Sequence, residues 1–441
     1  MIDDGDGLFD DLAEALAPVK LPGGAPRLRR AERSQGELRA CSLDDLIGAD
    51  HPARLVWRFV EGLDVSALLA GIKAVEGHVG HPPADPRILV ALWLFATIDG
   101  VGSARRLAEL CGGHAAYRWL CGGVSTNHKS LSDFRTAHTE WLDRTLTASV
   151  AVLLHKGLVR LDRVAQDGMK VRASAGAASF RRRESLEKCR RQAAERVRTL
   201  KADLDADPAE ASRRQRAAQE RAAHEREDRV AAALAELPAV EAKRSTAEKN
   251  KARVSTTDAE ARVMKMADGG FRPAFNVQLA AETEHRLIVG VDVTNGGSDQ
   301  PHLEPMADQI AKRFGQLPRE MLADGGFINL GAIDRLHGRG VTLYAPPMTP
   351  RDKDRRPADK RKSDTDAVMA WRQRMDTDAA KAIYRERAAT IECVNAQIRN
   401  RGLRQFLVRG LEKVRAVALW HALAHNLRIA FALMAPVEVA A

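Results

Sequence analysis

The sequence predicts an α/β protein: a mixed sheet flanked by helices, with an all-helical N-terminal domain and an inserted helical hairpin. From residue 263 onward, β-type runs alternate with helical segments, which is the pattern of a sheet covered by helices. Residues 42–157 show helical periodicity broken by short glycine turns. Residues 176–262 are densely charged, with sparse apolar residues at helical spacing. We therefore place the sheet in residues 158–435, with 176–262 as an insert.

The amino-acid composition indicates which class of molecule the protein binds. The 441 residues carry a formal net charge of +10, and the pI is near 9.5, so a polyanionic partner is favoured. Aromatic residues make up 5% of the chain, which disfavours a protein that stacks single-stranded bases and favours one that binds a duplex backbone. Length alone allows two to four domains.

Cysteines and apolar runs bear on the compartment. The five cysteines are scattered and lack C-x-x-C spacing, which argues against a disulfide framework or zinc site and for a reducing compartment. The apolar run Ile88 to Ile98 is too short to span a bilayer. The acidic N-terminus lacks the pattern of a signal peptide. We expect a cytoplasmic protein with no membrane partner.

The first 157 residues divide into an arm and a helical domain. Residues 1–40 are rich in Gly, Pro and charge, and predict a flexible basic arm whose Arg27–Arg30 cluster either contacts phosphate or is a solvated tail. In residues 42–157, Asp85 and Pro86 form a helix start, and a long helix is predicted from Leu131 to His155. Several short helices with tight turns suit a helix-turn-helix-like DNA-binding module; a structural helical cap is the alternative.

The insert at 176–262 predicts an antiparallel helical hairpin with a narrow apolar seam. Its arms are separated near Asp205–Pro208, and the apolar residues of the second arm, Val230, Leu234 and Leu237, precede Pro238. The many Arg and Lys residues either line DNA or belong to a solvated coiled coil.

Three carboxylates indicate the chemistry. Asp167 ends one predicted strand, Asp324 ends a second, and Glu392 lies on a strongly helical segment. Two strand-end aspartates and a helical glutamate are how an RNase H-like domain assembles a two-metal site, and Mg²⁺ prefers such hard oxygen ligands. Two ions about 3.5–4 Å apart activate the nucleophile and stabilise the leaving oxygen in phosphodiester chemistry. We therefore predict metal-dependent chemistry on DNA.

Each aspartate alone is weak evidence, because Asp-Gly is more often a turn than a catalytic site. Gly168 and Gly325 directly follow the two aspartates and would leave room for a metal and a phosphate. Three other aspartates compete for the same roles, one before a Gly-Gly pair, one within a strand and one in a loop. They are Asp268, Asp292 and Asp299.

Helix geometry predicts the surroundings of Glu392. At about 100° per residue, positions seven apart nearly superpose, so Arg385, Glu392 and Arg399 share one face. By the same rule Arg387 stands about 140° from Glu392. One face then presents a carboxylate flanked by cations, which suits a metal ligand beside a DNA backbone. The alternative is an ordinary exposed face whose charges do not interact.

Three sequence blocks resemble those of bacterial insertion-sequence DDE transposases. Gln166-Asp167-Gly168-Met169-Lys170 is similar to their "DGT-K" block, and Ala323-Asp324-Gly325-Gly326-Phe327 to their "AD-G-Y" block. The segment from Tyr384 to Arg399 resembles Y-x2-R-x3-E-x6-K, except that four residues separate Arg387 from Glu392 and an arginine replaces the lysine. The helical segment 42–157 also resembles the domain that precedes such catalytic cores.

The resemblance implies a transposase that binds terminal inverted repeats, cuts a strand at each end and transfers it to target DNA. Asp167, Asp324 and Glu392 would be catalytic and would hold two Mg²⁺ ions, with Mn²⁺ as a substitute. The phosphate- and DNA-binding residues implied are Tyr384, Arg385, Arg387, Arg399 and Lys170. Pairing two ends implies at least a homodimer on double-stranded DNA, in a bacterial cytoplasm and at the nucleoid when bound. A catalytically inactive DNA-binding regulator or relic, and a stand-alone RNase H-like nuclease, are the alternatives.

Overall fold

A six-stranded mixed sheet organises the protein. The computed structural model describes residues 41–77, 82–206, 210–350, 354 and 356–434; the predicted arm 1–40 lies outside them. The strand order is β4-β5-β1-β7-β8, with β6 also paired to β5. The six strands are β1 (Arg163–Arg172), β4 (Arg262–Lys265), β5 (Phe271–Glu282), β6 (Ile288–Thr294), β7 (Glu320–Leu322) and β8 (Thr342–Tyr344).

The direction of pairing changes at β1. This strand is antiparallel to β5 along Val164–Arg172 and parallel to β7 along Arg163–Ala165. β8 continues the parallel half beside β7. β4 and β6 share the far edge of β5, β4 at its start and β6 along the rest. This is the mixed α/β, RNase H-like arrangement that the sequence predicts.

Helices cover this sheet. α10 packs on β6, while α11 to α13 pack beside β8. α10 ends at Gly315, whose φ of 72° is the left-handed conformation that glycine adopts at helix ends. The helices that follow the hairpin of β5 and β6 are α10 (Leu303–Phe314), α11 (Leu330–Gly338), α12 (Asp366–Asp376), α13 (Asp378–Arg387), α14 (Cys393–Asn400) and α15 (Leu411–Met434).

Within the described residues, seven α-helices precede the sheet. The sequence predicts this helical region but not every helix boundary. The single long helix predicted from Leu131 to His155 is wrong, because the chain breaks at His138, with φ −125° and ψ 42°. The first of the two resulting helices begins at His128, where the Asn127 side chain accepts N–H bonds from the first turn. The helices are α1 (Pro52–Glu61), α2 (Ser66–Leu69), α3 (Pro86–Ile98), α4 (Ala104–Gly113), α5 (Ala115–Cys121), α6 (His128–Ala137) and α7 (Thr139–His155).

The insert between β1 and β4 consists of two long helices, α8 (Arg183–Ala206) and α9 (Glu210–Ala242), which pack against each other. A short two-stranded pair closes its base, β2 (Phe180–Arg181) with β3 (Val254–Ser255). α9 continues through Pro238, which lies inside the helix. The base is held by a small apolar cluster comprising Leu186, Ala233, Leu237, Ala252 and Val254.

α15 packs both on the sheet and on the helices that precede it. By length and composition, Leu411–Leu433 is apolar enough to cross a membrane, but 67% of its most apolar window is buried in the protein. It packs on β6 and on helices α3, α6 and α7. Trp420 donates to the Arg135 carbonyl at 3.0 Å, and Asn426 bonds both backbone groups of Ile288 at 2.8 Å. Protein packing therefore accounts for its apolar composition.

Candidate active site

Strand pairing brings the two aspartates together. Ala165 on β1 is the pairing partner of Leu322 on β7, so Asp167 and Asp324 each stand two residues further along neighbouring parallel strands. Asp324 lies two residues beyond the end of β7, close to the strand end that the sequence predicts. The prediction that Asp167 ends its strand is wrong, because β1 continues to Arg172. It continues because β5 runs alongside for the whole length, whereas β7 stops at Leu322.

Asp324 occupies a fixed turn. Its Oδ1 accepts the Gly326 N–H at 2.8 Å and caps a short 3₁₀ turn, Gly325–Phe327. The preceding Ala323 N–H bonds the Tyr344 carbonyl beyond β8 at 3.1 Å. Phe327 is fully buried. The second block of the motif thus anchors a turn in the core. The other Asp324 oxygen, Oδ2, has no protein hydrogen-bond donor among the described residues.

Asp167 is a partly buried carboxylate with an elevated pKa. Its Oδ1 accepts the N–H of Gly168 at 2.9 Å, and its Oδ2 accepts the side-chain N–H of Asn395 at 2.9 Å. Burial raises the pKa of Asp167 to about 6, opposed by the nearby Arg387 guanidinium and assisted by the negative charge of Asp324. The two aspartates are therefore close enough to repel each other, which is the electrostatic setting that a cation relieves.

The helical segment that carries Glu392 contains a wide turn. Between α13 and α14, residues Ala388–Glu392 form a π-helical turn, in which bonds connect residues five apart. In a regular α-helix neighbours on one face are three or four apart. Arg387 precedes Glu392 by five positions, so the wide turn brings them to the same face. The extra residue in the third sequence block is absorbed here.

Arg387, not Arg385, is the arginine that faces Glu392. The Arg387 Nη2 donates to Glu392 Oε1 at 3.0 Å, and its Nη1 lies 4.0 Å from Asp167 Oδ1. The expectation that Arg387 stands about 140° away is wrong, because it assumed an unbroken α-helix. Arg385 is exposed. The guanidinium also lies 5.9 Å from the centre of the Tyr384 ring, so Tyr384 belongs to the same group.

Lys170 lies in a polar network on the other face of β1. Its Nζ is 2.6 Å from Asp299 Oδ2, and Asp299 Oδ1 accepts from Asn276 at 2.6 Å and Gln278 at 2.7 Å. A Cβ on Gly168 would stand 2.1 Å from Asp299 Oδ1. Glycine is therefore required here to seat Asp299, rather than to leave room for a metal and a phosphate as the sequence suggested.

The remaining candidates occupy separate positions. Asp268 is exposed and its two oxygens bind Arg272 at 2.7 and 2.8 Å. Asp292 lies on β6 opposite Gln278. Arg399 is exposed and lines a cleft together with Gly168 and Lys170.

The carboxylates meet some, but not all, of the requirements for binding a divalent ion. Carboxylate oxygens are the ligands that Mg²⁺ prefers, and burial, assisted by the charge of Asp324, raises the pKa of Asp167 to about 6. A buried oxygen, Asn395 Oδ1, adjoins Asp167 without a hydrogen-bond partner. Within the described residues, however, no three His, Cys, Asp or Glu side chains are gathered to hold a metal. Arg387 lies between Asp167 and Glu392, so a shared ion requires that guanidinium to move.

Two features of the site lie outside the sequence prediction. Asn395 binds Asp167 directly, and its position three residues after Glu392, on the same side of a helix, was the available signal. Arg163 pairs with Glu320 at 2.5 Å and Glu386 at 2.6 Å. It thereby ties β1, β7 and α13 together beside the carboxylates, a role that its sequence position at the start of a strand does not reveal.

Two protein families match the chain. Residues 235–427 match "Transposase DDE domain", and residues 41–137 match "Transposase domain (DUF772)". The first range includes Asp324 and Glu392, whereas Asp167 lies between the two ranges and is assigned by its geometry. No curated protein and no solved structure matches the chain. DDE transposases act on DNA and generally use divalent metals. The two matches, in this order and over this fold, show that the chain belongs to the DDE transposases of insertion sequences.

Proposed function

We propose that this transposase binds the terminal inverted repeats of its element, cleaves a strand at each end and transfers that strand to target DNA. The observation that carries the proposal is the parallel pairing of β1 and β7, which aligns Asp167 with Asp324. The bridge from Arg387 to Glu392 adds the third carboxylate to that pair.

Each polar side chain has a distinct role in this proposal. Asp167, Asp324 and Glu392 would hold two Mg²⁺ ions, or Mn²⁺, which when bound activate a water or a 3′-hydroxyl and stabilise the leaving oxygen. Asn395 orients Asp167 through its 2.9 Å bond. Arg387 neutralises the carboxylates when no metal is present and binds phosphate once released.

Phosphate binding involves the exposed and half-buried residues around the carboxylates. Arg399 and Arg385 are exposed and present guanidinium groups, which suit bidentate phosphate contacts. Tyr384 stacks with Arg387 and holds it near the reacting phosphate. Lys170 is paired with Asp299, so it contributes to DNA binding by exchanging that partner for phosphate.

Recognition of the ends is assigned to residues 42–157. The start of α6 offers side-chain donors that suit DNA backbone contacts, in Ser125, Asn127, His128 and Lys129. We propose that this helical domain reads the inverted repeats and that the inserted hairpin at 176–262 supports the DNA. Pairing of two ends requires at least a homodimer, acting in a bacterial cytoplasm and on the nucleoid.

The test is Mg²⁺-dependent cleavage of a plasmid that carries both ends of the element. Asp167→Asn, Asp324→Asn and Glu392→Gln are each expected to reduce end cleavage by about 10³-fold or more, since preorganised charge supplies most of such catalysis. All three variants should still bind the ends. Asp376→Asn changes an exposed aspartate at the end of α12 and serves as the control, with cleavage at the wild-type rate.

Other outcomes separate the alternatives. Wild-type protein that binds the ends but never cuts them in Mg²⁺ or Mn²⁺ is an inactive regulator or relic. Cutting without joining, when precut 3′-hydroxyl ends and a target plasmid are supplied, identifies a nuclease. Activity that survives one of the three carboxylate changes removes that residue from the site.

A further inference from the structure

A positively charged cleft adjoins the carboxylates. Its volume is about 710 Å³, and it lies between β1, the turn that joins β4 to β5, and the segment after α14. One carboxylate, Asp268, lines it together with six cationic side chains. We call this the cationic cleft, and its cations are Lys170, Arg172, Lys265, Arg272, Arg399 and Arg404.

Most of this charge is uncompensated. Asp268 neutralises Arg272 through two contacts of 2.7 and 2.8 Å, and Asp299 neutralises Lys170 at 2.6 Å. The four other cations have no carboxylate partner within the described residues. They are Arg172, Lys265, Arg399 and Arg404, and all four are exposed. Exposed like charges in one concave surface repel one another, and a polyanion removes that cost.

The strands align these cations in a row. Side chains alternate along a strand, so Gly168, Lys170 and Arg172 share one face of β1. Arg172 pairs with Ala274 on β5, and Arg272, two residues earlier, lies on the same face. The row therefore crosses from β1 to β5. Lys265, the last residue of β4, also lines the cleft.

The cleft and the catalytic group are neighbours along one edge of β1, since Gly168, which lines the cleft, directly follows Asp167. One edge of β1 pairs with β7 along Arg163–Ala165. The same edge is next bonded at Arg172, which receives the Phe406 N–H at 2.8 Å and donates to the Arg404 carbonyl at 3.3 Å. Asp167 and Gly168 lie in the interval between these two pairings. A strand bound near Asp167 can therefore continue past Gly168 into the cleft.

The residues that line the cleft also indicate which part of a nucleic acid it binds. None of the side chains that line it is aromatic, whereas sites that hold unpaired bases usually stack them on aromatic rings. Arginine and lysine contacts without stacking favour the sugar–phosphate backbone. Such contacts carry no sequence information.

We propose that the cationic cleft binds the phosphate backbone of the DNA strand that continues from the reacting phosphate, irrespective of its sequence. This inference rests on the proposed function and adds a second binding surface to it, formed by Arg172, Lys265 and Arg404. Within the described residues, these three side chains form no hydrogen bond or ion pair with the catalytic carboxylates. Their expected contribution is to DNA affinity rather than to chemistry.

The test measures DNA binding without metal. A fluorescein-labelled duplex of arbitrary sequence, and one of its single strands, are titrated with protein in EDTA over a series of KCl concentrations. Each phosphate contact contributes about 0.9 to the slope of log K against log salt for duplex DNA and about 0.7 for a single strand. The combined variant Arg172→Ala, Lys265→Ala, Arg404→Ala is expected to reduce that slope by about 2–3 and the affinity by about tenfold or more.

The matched control removes the same charge at the opposite end of the sheet. Lys156, Lys312 and Arg319 are exposed and lie near the starts of β1 and β7. Their combined replacement by alanine is expected to leave the slope within about 1 of the wild type, since one contact changes it by about that amount. Thermal unfolding of both triple variants checks that each is folded.

A cleft variant that is folded and binds both DNAs with the wild-type slope overturns the proposal, as does an equal loss in the control variant. If the triple variant does not fold, the single change Lys265→Glu is measured in the same way, and an unchanged slope then overturns the proposal. If the cleft variant shows the reduced slope but the wild-type protein does not cleave the ends, the proposed function is refuted and the cleft assignment stands. An unchanged slope in the cleft variant, together with normal end cleavage by the wild-type protein, would refute the cleft assignment and leave the proposed function standing.

Discussion

The strand-borne and helix-borne parts of the site are positioned in different ways. Asp167 and Asp324 are fixed by backbone pairing, because the register of β1 with β7 determines which residues stand side by side. Glu392 is exposed, with 54% of its side chain accessible, and is fixed by one side-chain bridge to Arg387. That bridge exists because a π turn absorbs an extra residue. Sheet register thus tolerates little variation, whereas the helical part accommodates an insertion.

The two parts also differ in charge. The strand pair holds two carboxylates close together, one of them partly buried, and the pKa of Asp167 is raised to about 6. The helical part supplies the compensating cation, Arg387, whose side chain is 12% exposed. The site therefore contains its own counter-ion. In the proposed function, a metal ion shared by these carboxylates would require that counter-ion to move.

The largest effect on stability is expected from Gly168→Ala, which tests the rigidity of the strand part. Because the new Cβ would stand 2.1 Å from Asp299 Oδ1 and 2.6 Å from Gln278 Nε2, Asp299 must leave its position. We expect a loss of about 2–3 kcal/mol in the free energy of unfolding, measured by urea denaturation. Gly176→Ala meets no atom within 4 Å and is the control. Equal stability of the two variants would show that β1 shifts freely at this point.

A smaller effect of opposite sign is expected from Asp167→Asn in EDTA. The folded pKa of Asp167, about 6, exceeds its ordinary value of 3.8, so wild-type protein loses stability as pH rises through that interval. Asparagine removes this cost. We expect the variant to be more stable by about 1–2 kcal/mol above pH 6, with the difference disappearing below about pH 4. Urea midpoints at acid and neutral pH measure it, and a less stable variant at neutral pH would contradict the burial argument.

The smallest effect is expected from deletion of Ala389, which tests the helical part. The deletion removes one residue from the π turn and leaves Arg387 and Glu392 four apart, still neighbours on a regular helix. We expect the free energy of unfolding to change by less than about 1 kcal/mol and end cleavage to persist. Deletion of Ala396, exposed on α14, is the control. Deletion of Ala396 rotates Ile398 out of the core. Equal losses of stability in the two deletion variants would show that the π turn does not tolerate the loss of a residue.

Much of the fold could be predicted because strong local signals mark it. The β5–β6 hairpin follows from two β-branched runs, and α3 from its Asp85 cap and the proline after it. Boundaries that depend on distant partners could not be predicted. β1 extends to Arg172 because β5 runs beside it. The break at His138 fits no proline or glycine signal, and its Phe134 neighbour packs on Trp420 of the last helix.

The residues of the site also differ in whether the sequence alone reveals them. The two aspartates are readable because each follows a β-type run and precedes a glycine. The partner of Glu392 was not readable, since the helical wheel assumes one uniform period and a single wide turn changes the facing residue from Arg385 to Arg387. Asp299 could be suspected from the chain but not placed, because its partners are distant from it in sequence: Lys170 lies on β1, and Asn276 and Gln278 lie on β5.

The closed base of the inserted hairpin makes the protein suited to domain grafting. Because β2 and β3 bring Arg181 and Val254 into register, the chain leaves the sheet and returns to it at one point. A fluorescent protein spliced into the far end of the hairpin, beyond the Leu186 and Leu237 contacts, would therefore leave the strands uninterrupted. Such a fusion would report the position of the element's own enzyme in living cells, and loss of end cleavage in the fusion would show that the hairpin tip is needed.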